Sequence, residues 1–181
     1  VPFTEHFPYQ EQLPWMYDLL VANNTNFWEK GTDWTVFNAA GVNFSTPICF
    51  EDTFGYLSRN FVREGAEVIV NLTNDSWAFS VPSAMQHMGM AVFRAVENRR
   101  TVVRSTNGGM TTTIDPNGRI RAMLPAFTEG YMVDTVPVYT EKRTLYTRWG
   151  DWFAYLALIV SGLSLLGGLI LRFTGLRERN E

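Results

Sequence analysis

The chain is poor in the residues that usually announce chemistry: one cysteine, Cys49, and two histidines, His6 and His87, in 181 residues. A lone thiol excludes an internal disulfide, and one cysteine with two scattered histidines makes no zinc pattern. The two histidines lie at no spacing that pairs either with Cys49. No metal and no cofactor is called for. Basic residues number 15 against 18 acidic ones, for a net charge of −3. They form no run and no stripe with interleaved aromatics, which argues against nucleic acid as a partner. There is no internal repeat and no low-complexity segment. The first residue is Val1 rather than Met, and the expectation is the C-terminal part of a longer protein or a processed product.

What the chain has is aromatic and apolar surface. Aromatics make up 14% of it, with six Trp. Trp152 to Leu171 (WFAYLALIVSGLSLLGGLIL) runs without a charge. As a helix it is about 30 Å long at 1.5 Å per residue, the thickness of a bilayer's hydrocarbon. Trp149, Trp152 and Tyr155 cluster at one end as interfacial aromatics do. Ser161, Gly162, Gly167 and Gly168 leave room for a second helix to approach. Residues 149–172 are therefore expected to form a membrane anchor, followed by a short tail, 173–181. Lys142, Arg143 and Arg148 precede the span and Arg172, Arg177 and Arg179 follow it, so the charge rule assigns no orientation.

Residues 1–148 have the size of one domain. Short apolar runs alternate with helical patterns from Trp34 onward, which predicts an α/β fold. Trp34 to Asn38 and Val42 to Cys49 read as strands around an Ala39-Ala40-Gly41 turn. Phe54 to Glu64 reads as a helix stopped by Gly65. Val68 to Leu72 reads as a strand covered on both faces. Ser83 to Arg100 reads as a helix with Met85, Met88, Val92 and Val96 packed in the core. Thr101 to Ser105 and Met110 to Asp115 read as strands about Asn107-Gly108-Gly109. Asp115-Pro116-Asn117-Gly118 is a tight turn before a strand at Arg119 to Leu124. Gly130 to Val138 closes the domain. Leu13 to Val21 reads as a short helix, with core packing favoured over a lid or lipid contact.

Cys49 lies in Thr46-Pro47-Ile48-Cys49-Phe50-Glu51-Asp52, where an apolar run gives way to a polar stretch. Free cysteines are often simply buried, so core packing and a reactive thiol are both open on this residue alone. A strand-to-helix elbow would favour the thiolate through the helix's first N–H groups, and the Phe50 N–H is placed to hold an oxyanion. Asp52 reads as the cap of the following helix. The Glu51 side chain is expected near the Cys49 cleft. His87, on a helix with Arg94 and Glu97, reads as a structural histidine. A base for Cys49 must be a carboxylate or a lysine; Lys30 and Lys142 stand in plain polar surroundings, which points upstream of Val1.

Pro47-Ile48-Cys49-Phe50-Glu51, Val70-Asn71-Leu72-Thr73-Asn74-Asp75-Ser76-Trp77, Gln86-His87 and Arg94-Ala95-Val96-Glu97-Asn98-Arg99-Arg100 occur in that order. Together they resemble the nitrilase superfamily, and Arg104 to Thr111 extends the likeness. Within the superfamily the chain is similar to the apolipoprotein N-acyltransferase family of bacterial membrane enzymes. Val1-Pro2-Phe3-Thr4-Glu5 resembles the segment after that family's catalytic lysine, and Tyr146 to Trp152 with one terminal helix resembles its C-terminal end. Thr4 stands where glycine is usual, Phe50 where tyrosine is common, and Ala78-Phe79 where Phe-Gly is usual.

The resemblance implies a partial nitrilase-like α-β-β-α sandwich over 1–148, then one transmembrane helix. It implies Cys49 as nucleophile, Glu51 and Glu5 as catalytic carboxylates, and Phe50 and Trp77 at the substrate cleft. The reaction implied is acyl transfer from a phospholipid, through a thioester, to the amine of diacylglyceryl-cysteine on a lipoprotein. The family lysine and general-base glutamate would lie before Val1, so this stretch alone is expected to be inactive and to fold poorly. The implied setting is a monomer in the bacterial inner membrane, with the catalytic domain on the periplasmic face. A membrane-tethered amidase or nitrilase, or an inactive truncated product, are the competing expectations.

Overall fold

Ala40 (φ 51°) and Gly41 (φ 80°) form a two-residue turn that folds β1 (Phe37–Ala39) back on β2 (Val42–Ser45). Positive φ at both central residues matches the right-handed twist of the flanking strands. The computed structural model describes residues 6–23, 25, 27–28, 31–140 and 143–178, less the side chains of 171 and 173–178. After β2 come a 3-10 turn (Cys49–Thr53), α2 (Gly55–Arg63) and β3 (Val68–Asn74). A second 3-10 turn (Ser76–Ala78) leads to α3 (Val81–Asn98), β4 (Thr101–Asn107), β5 (Thr111–Ile114) and β6 (Ile120–Leu124). α1 (Pro14–Ala22) precedes the sheet; α4 (Leu145–Trp149) and α5 (Trp152–Glu178) follow it.

The six strands lie in chain order, with β2, β3 and β4 parallel and the other neighbours antiparallel. Crossovers between parallel strands are right-handed, which sends α2 and α3 to the same face. The core sits there: Val62 from α2, Ala91 and Ala95 from α3, Ile69, Val102 and Ile114 from the sheet. Burying one such large aliphatic side chain is worth about 1.5–3 kcal/mol. Register pairs Ile69 with Val102 and Asn71 with Arg104, so the buried face carries two polar side chains along with the apolar ones.

Several boundaries differ from the sequence expectation. β1 begins at Phe37 because Trp34 leaves the strand to pack edge-on against Phe61 of α2 (5.3 Å, 85°). β2 ends at Ser45, ahead of Pro47, which has no N–H to donate. A single parallel bridge, Ile48 to Leu72, resumes the ladder three residues later. β3 is covered on both faces only at its start: Val68 is 5% exposed, whereas Leu72 on the same face is 46% exposed. In α3 the buried stripe is Ala84, Met88, Ala91, Arg94, Ala95 and Asn98, while Met85 and Val96 face outward. Small alanines let the helix axis approach the sheet, which rotates the stripe away from Met85. No residue of α1 is buried; its apolar side chains run around the helix, and Tyr17 joins Phe7 and Phe27 in a ring cluster.

Residues 125–140 follow β6 without forming a strand, and are tied to the sheet by Thr113 donating to Asp134 and Thr101 donating to the Pro137 carbonyl. α4 docks on the helical layer through Arg59 Nε on the Tyr146 carbonyl (3.0 Å) and Thr147 Oγ1 on Asn98 Oδ1 (3.0 Å). In α5, Trp152–Ile170 has a mean hydropathy of 2.1 and none of it is buried; it is long and apolar enough to cross a membrane.

Candidate active site

Cys49 opens its 3-10 turn with φ +50°, in the left-handed region. A residue with a β-carbon pays about 1–2 kcal/mol to stay there, so the surroundings must hold it. They do so through the backbone. The Asn71 side-chain amide on β3 donates to the carbonyls of Pro47 (3.1 Å) and Cys49 (3.0 Å). The Ile48 N–H donates to the Glu51 carboxylate (2.7 Å), and the Glu51 N–H to the Ile48 carbonyl (3.0 Å). The half-buried thiol lies 4.0 Å from the Asn74 carbonyl at the end of β3.

The elbow is therefore built differently from expectation. The turn does not run into α2, because Phe54 is extended (φ −92°, ψ 106°) and itself occupies the N-cap. Asp52 cannot cap α2. It is completely buried, and accepts hydrogen bonds from His87 Nε2 (2.8 Å) and from Arg104 Nη1. Glu51 has its carboxylate turned back on Ile48.

His87 is the centre of the buried cluster. Its Nδ1 lies 2.7 Å from Asp75 Oδ1, and Arg104 Nη2 reaches Asp75 Oδ2 at 3.5 Å. Thr73 also donates to Asp75. Burial works against a charge on His87, but its hydrogen bonds to Asp52 and Asp75 and the Asp52 charge outweigh it and lift the imidazole to about 9. Asp75 loses solvation too, yet its contacts with His87 and Arg104 hold its carboxyl below the ordinary 3.8. The structural role expected of His87 is what the geometry has, on both ring nitrogens. Arg94 adds a clamp by donating to the Thr53 carbonyl (2.6 Å) while paired with Glu97 (2.7 Å).

The Asn107-Gly108-Gly109 turn backs onto this cluster. A β-carbon at Gly109 would lie 2.3 Å from Asp75 Oδ2, and one at Gly108 2.7 Å from the Ser76 backbone. These glycines are demanded by close approach as well as by the turn.

Of the site residues read from sequence, Cys49, Phe50 and Glu51 share one turn. Phe50 lays its ring 5.4 Å from the His87 ring and is 40% exposed. Trp77 belongs to the loop after β3 and is 73% exposed. Glu5, Lys30 and Lys142 lie outside the described residues. Sequence reasoning missed Asn71, Asp52, Asp75 and Arg104 as site supports. The signal was Asn71 and Arg104 themselves, each directly following an apolar run at the start of its strand (Val68-Ile69-Val70 and Val102-Val103). Among the described residues no group of His, Cys, Asp and Glu has the geometry of a metal site. A groove of about 920 Å³ runs between Ser76, Asn107, Phe127 and Tyr131; Cys49 does not line it.

Comparison with known proteins follows this layout. The apolipoprotein N-acyltransferase 1 of Treponema denticola is 51% identical over 96% of this chain, and that of Treponema pallidum 46% identical over 93%. The apolipoprotein N-acyltransferase of Geobacter metallireducens is 38% identical over 95%. The chain spans about a third of these curated relatives, 32%, 31% and 32% of their lengths. An amidase from Nesterenkonia has a TM-score of 0.46 at 18% identity, covering 57% of this chain and 41% of that one. The family described as carbon-nitrogen hydrolase matches residues 11–144. That match takes in the whole sheet, the Cys49 turn and every member of the buried cluster, and the chain belongs to the carbon-nitrogen hydrolase family.

Proposed function

We propose that this chain carries the nucleophile and the membrane anchor of an N-acyltransferase that acts on lipoproteins. The observation behind the reading is Cys49 itself: a half-buried thiol on a left-handed elbow, held by Asn71 and Glu51. The names of its relatives support the acceptor class, and the resemblance seen in sequence supports the donor.

The Cys49 thiolate attacks the ester carbonyl of a phospholipid acyl chain. The acyl C–O bond breaks, the lysophospholipid alkoxide leaves and takes up a proton, and a thioester remains. The free α-amine of diacylglyceryl-cysteine then attacks the thioester. The C–S bond breaks, the amide forms, and the amine's proton is released as the thiolate returns. That amine has a pKa near 7.7–8.0, so a useful fraction is neutral at the operating pH. Glu51 serves this chemistry by fixing the elbow through Ile48, and Glu5 supplies a second carboxylate. Phe50 and Trp77 offer aromatic surface to the lipid. Residues 149–172 anchor the site in the bacterial inner membrane, with the 1–148 domain on the periplasmic side and the protein acting as a monomer.

The test is intact-mass spectrometry of the full-length protein incubated with phospholipid and no acceptor. The expected result is a gain of one acyl mass in wild type and none in Cys49→Ala. No gain, or an equal gain in both, overturns the reading.

A further inference from the structure

His87 does more than satisfy itself. Its Nε2 meets Asp52, three residues beyond Cys49 in the same turn; its Nδ1 meets Asp75, the residue after Asn74, whose carbonyl faces the thiol. Its ring packs against Phe50, the residue next to Cys49. One side chain on α3 thus touches both segments that border the thiol, and two residues of the nucleophile's own turn.

Both acceptors are carboxylates, exposed by 0% and 6%. A neutral imidazole has one N–H and can donate to only one of them; two bonds require the doubly protonated ring. The charged groups facing the ring are Asp52 from the turn, Asp75 from the end of β3 and Arg104 from β4. With His87 as a cation the four buried charges balance. Without it, two buried carboxylates share Arg104 alone and repel each other. The turn and the loop are then free to separate.

We propose that the His87 imidazolium is a positioning residue for the reaction, locking the Cys49 turn to the Asn74–Trp77 loop so that thiol, Asn74 carbonyl and Trp77 keep one geometry. The inference rests on the reading of Cys49 as the nucleophile and extends it. His87 touches neither substrate nor the reacting sulfur; it acts through Asp52, Asp75 and Phe50.

The experiment is single-turnover acylation of Cys49 in the full-length protein, using vesicles of phosphatidylethanolamine and phosphatidylglycerol. Rates are followed by intact mass from pH 6 to 10, with unfolding temperature recorded alongside. His87→Gln retains one donor and loses the charge. Its acylation rate is expected to fall about 10-fold or more at pH 7 while the half-saturating lipid concentration stays put, the mark of a lost transition-state alignment rather than lost binding. The wild-type rate should fall between pH 8 and 10 with the fold intact, although thiolate is accumulating, and the variant should lack that alkaline limb. A His87→Gln rate within about twofold of wild type at every pH, or a loss fully explained by its unfolded fraction, overturns the proposal. Should the variant fail to fold, the wild-type profile decides alone: an alkaline fall supports the inference and a continued rise sinks it. A wild-type protein that forms no adduct sinks the nucleophile reading, and this inference with it; an adduct at unchanged rate in the variant sinks only the inference.

Discussion

The left-handed backbone at Cys49 persists because Asn71 grips the carbonyls on either side of Ile48. Asn71→Ala removes the side-chain donor from both carbonyls, although Pro47 keeps the Leu72 N–H (3.3 Å), and the loss is expected to cost about 1–3 kcal/mol. The variant is expected to unfold at lower denaturant and to acylate Cys49 more slowly; an unchanged midpoint would deny Asn71 that role. His87 brings a pH dependence whose sign is set by its raised value. Its stabilisation is complete below the unfolded pKa of 6.5 and disappears as pH rises through about 9. Asp75, held low, contributes above 3.8 and loses its contribution as pH falls below that. The difference in unfolding temperature between wild type and His87→Gln should therefore be greatest near pH 5–6 and shrink toward pH 10. Cys49 was legible as a candidate at this scale because it stands alone in the sequence. Its supports were not, since Asp52, Asp75 and Arg104 come from three segments, and Asp52 by itself reads as a helix cap.

At the scale of elements, the apolar patterns located the strands and helices of the sheet domain to within a few residues, while α5 continues to Glu178, through much of the stretch expected to be a tail. They failed where a neighbouring element decided the matter. α3 has apolar residues on more than one face, and the approach of the sheet selected the alanine stripe over the Met85 side. Met88→Ala should cost about 2–5 kcal/mol, whereas Met85→Ala should stay within about 0.5 kcal/mol. Denaturant midpoints of the two variants in detergent-solubilised protein check this, and equal losses would return Met85 to the core. The break between the Cys49 turn and α2 is of the same kind. Phe54 is a tolerable helix residue by propensity, but its extended backbone lets its ring pack on Phe50 (6.2 Å). A strong helix former at that position would extend α2 toward the nucleophile.

The whole molecule combines a sheet covered by helices on one face with a helix that buries none of its apolar stretch. If that stretch spans a bilayer, its exposure costs nothing, because lipid replaces the protein interior. Placed behind a soluble reporter, residues 149–181 should insert in a translocon assay. Leu163→Arg should make insertion less favourable by about 3–4 kcal/mol, the cost of a central charge plus the lost leucine. Failure of the unaltered segment to insert would end the anchor reading. The uncharged run, the α/β alternation, the tight turns and the isolated thiol were all determined by sequence alone, because each depends on neighbours a few residues apart. The left-handed elbow, the face of α3 that is buried, the glycines pressed against Asp75 and Ser76, and the union of Asp52, His87, Asp75 and Arg104 were decided only by tertiary structure. Their partners are up to 52 residues distant in the chain. Buried charges tolerate one another only when packing brings all four together, and no local pattern records which four those will be.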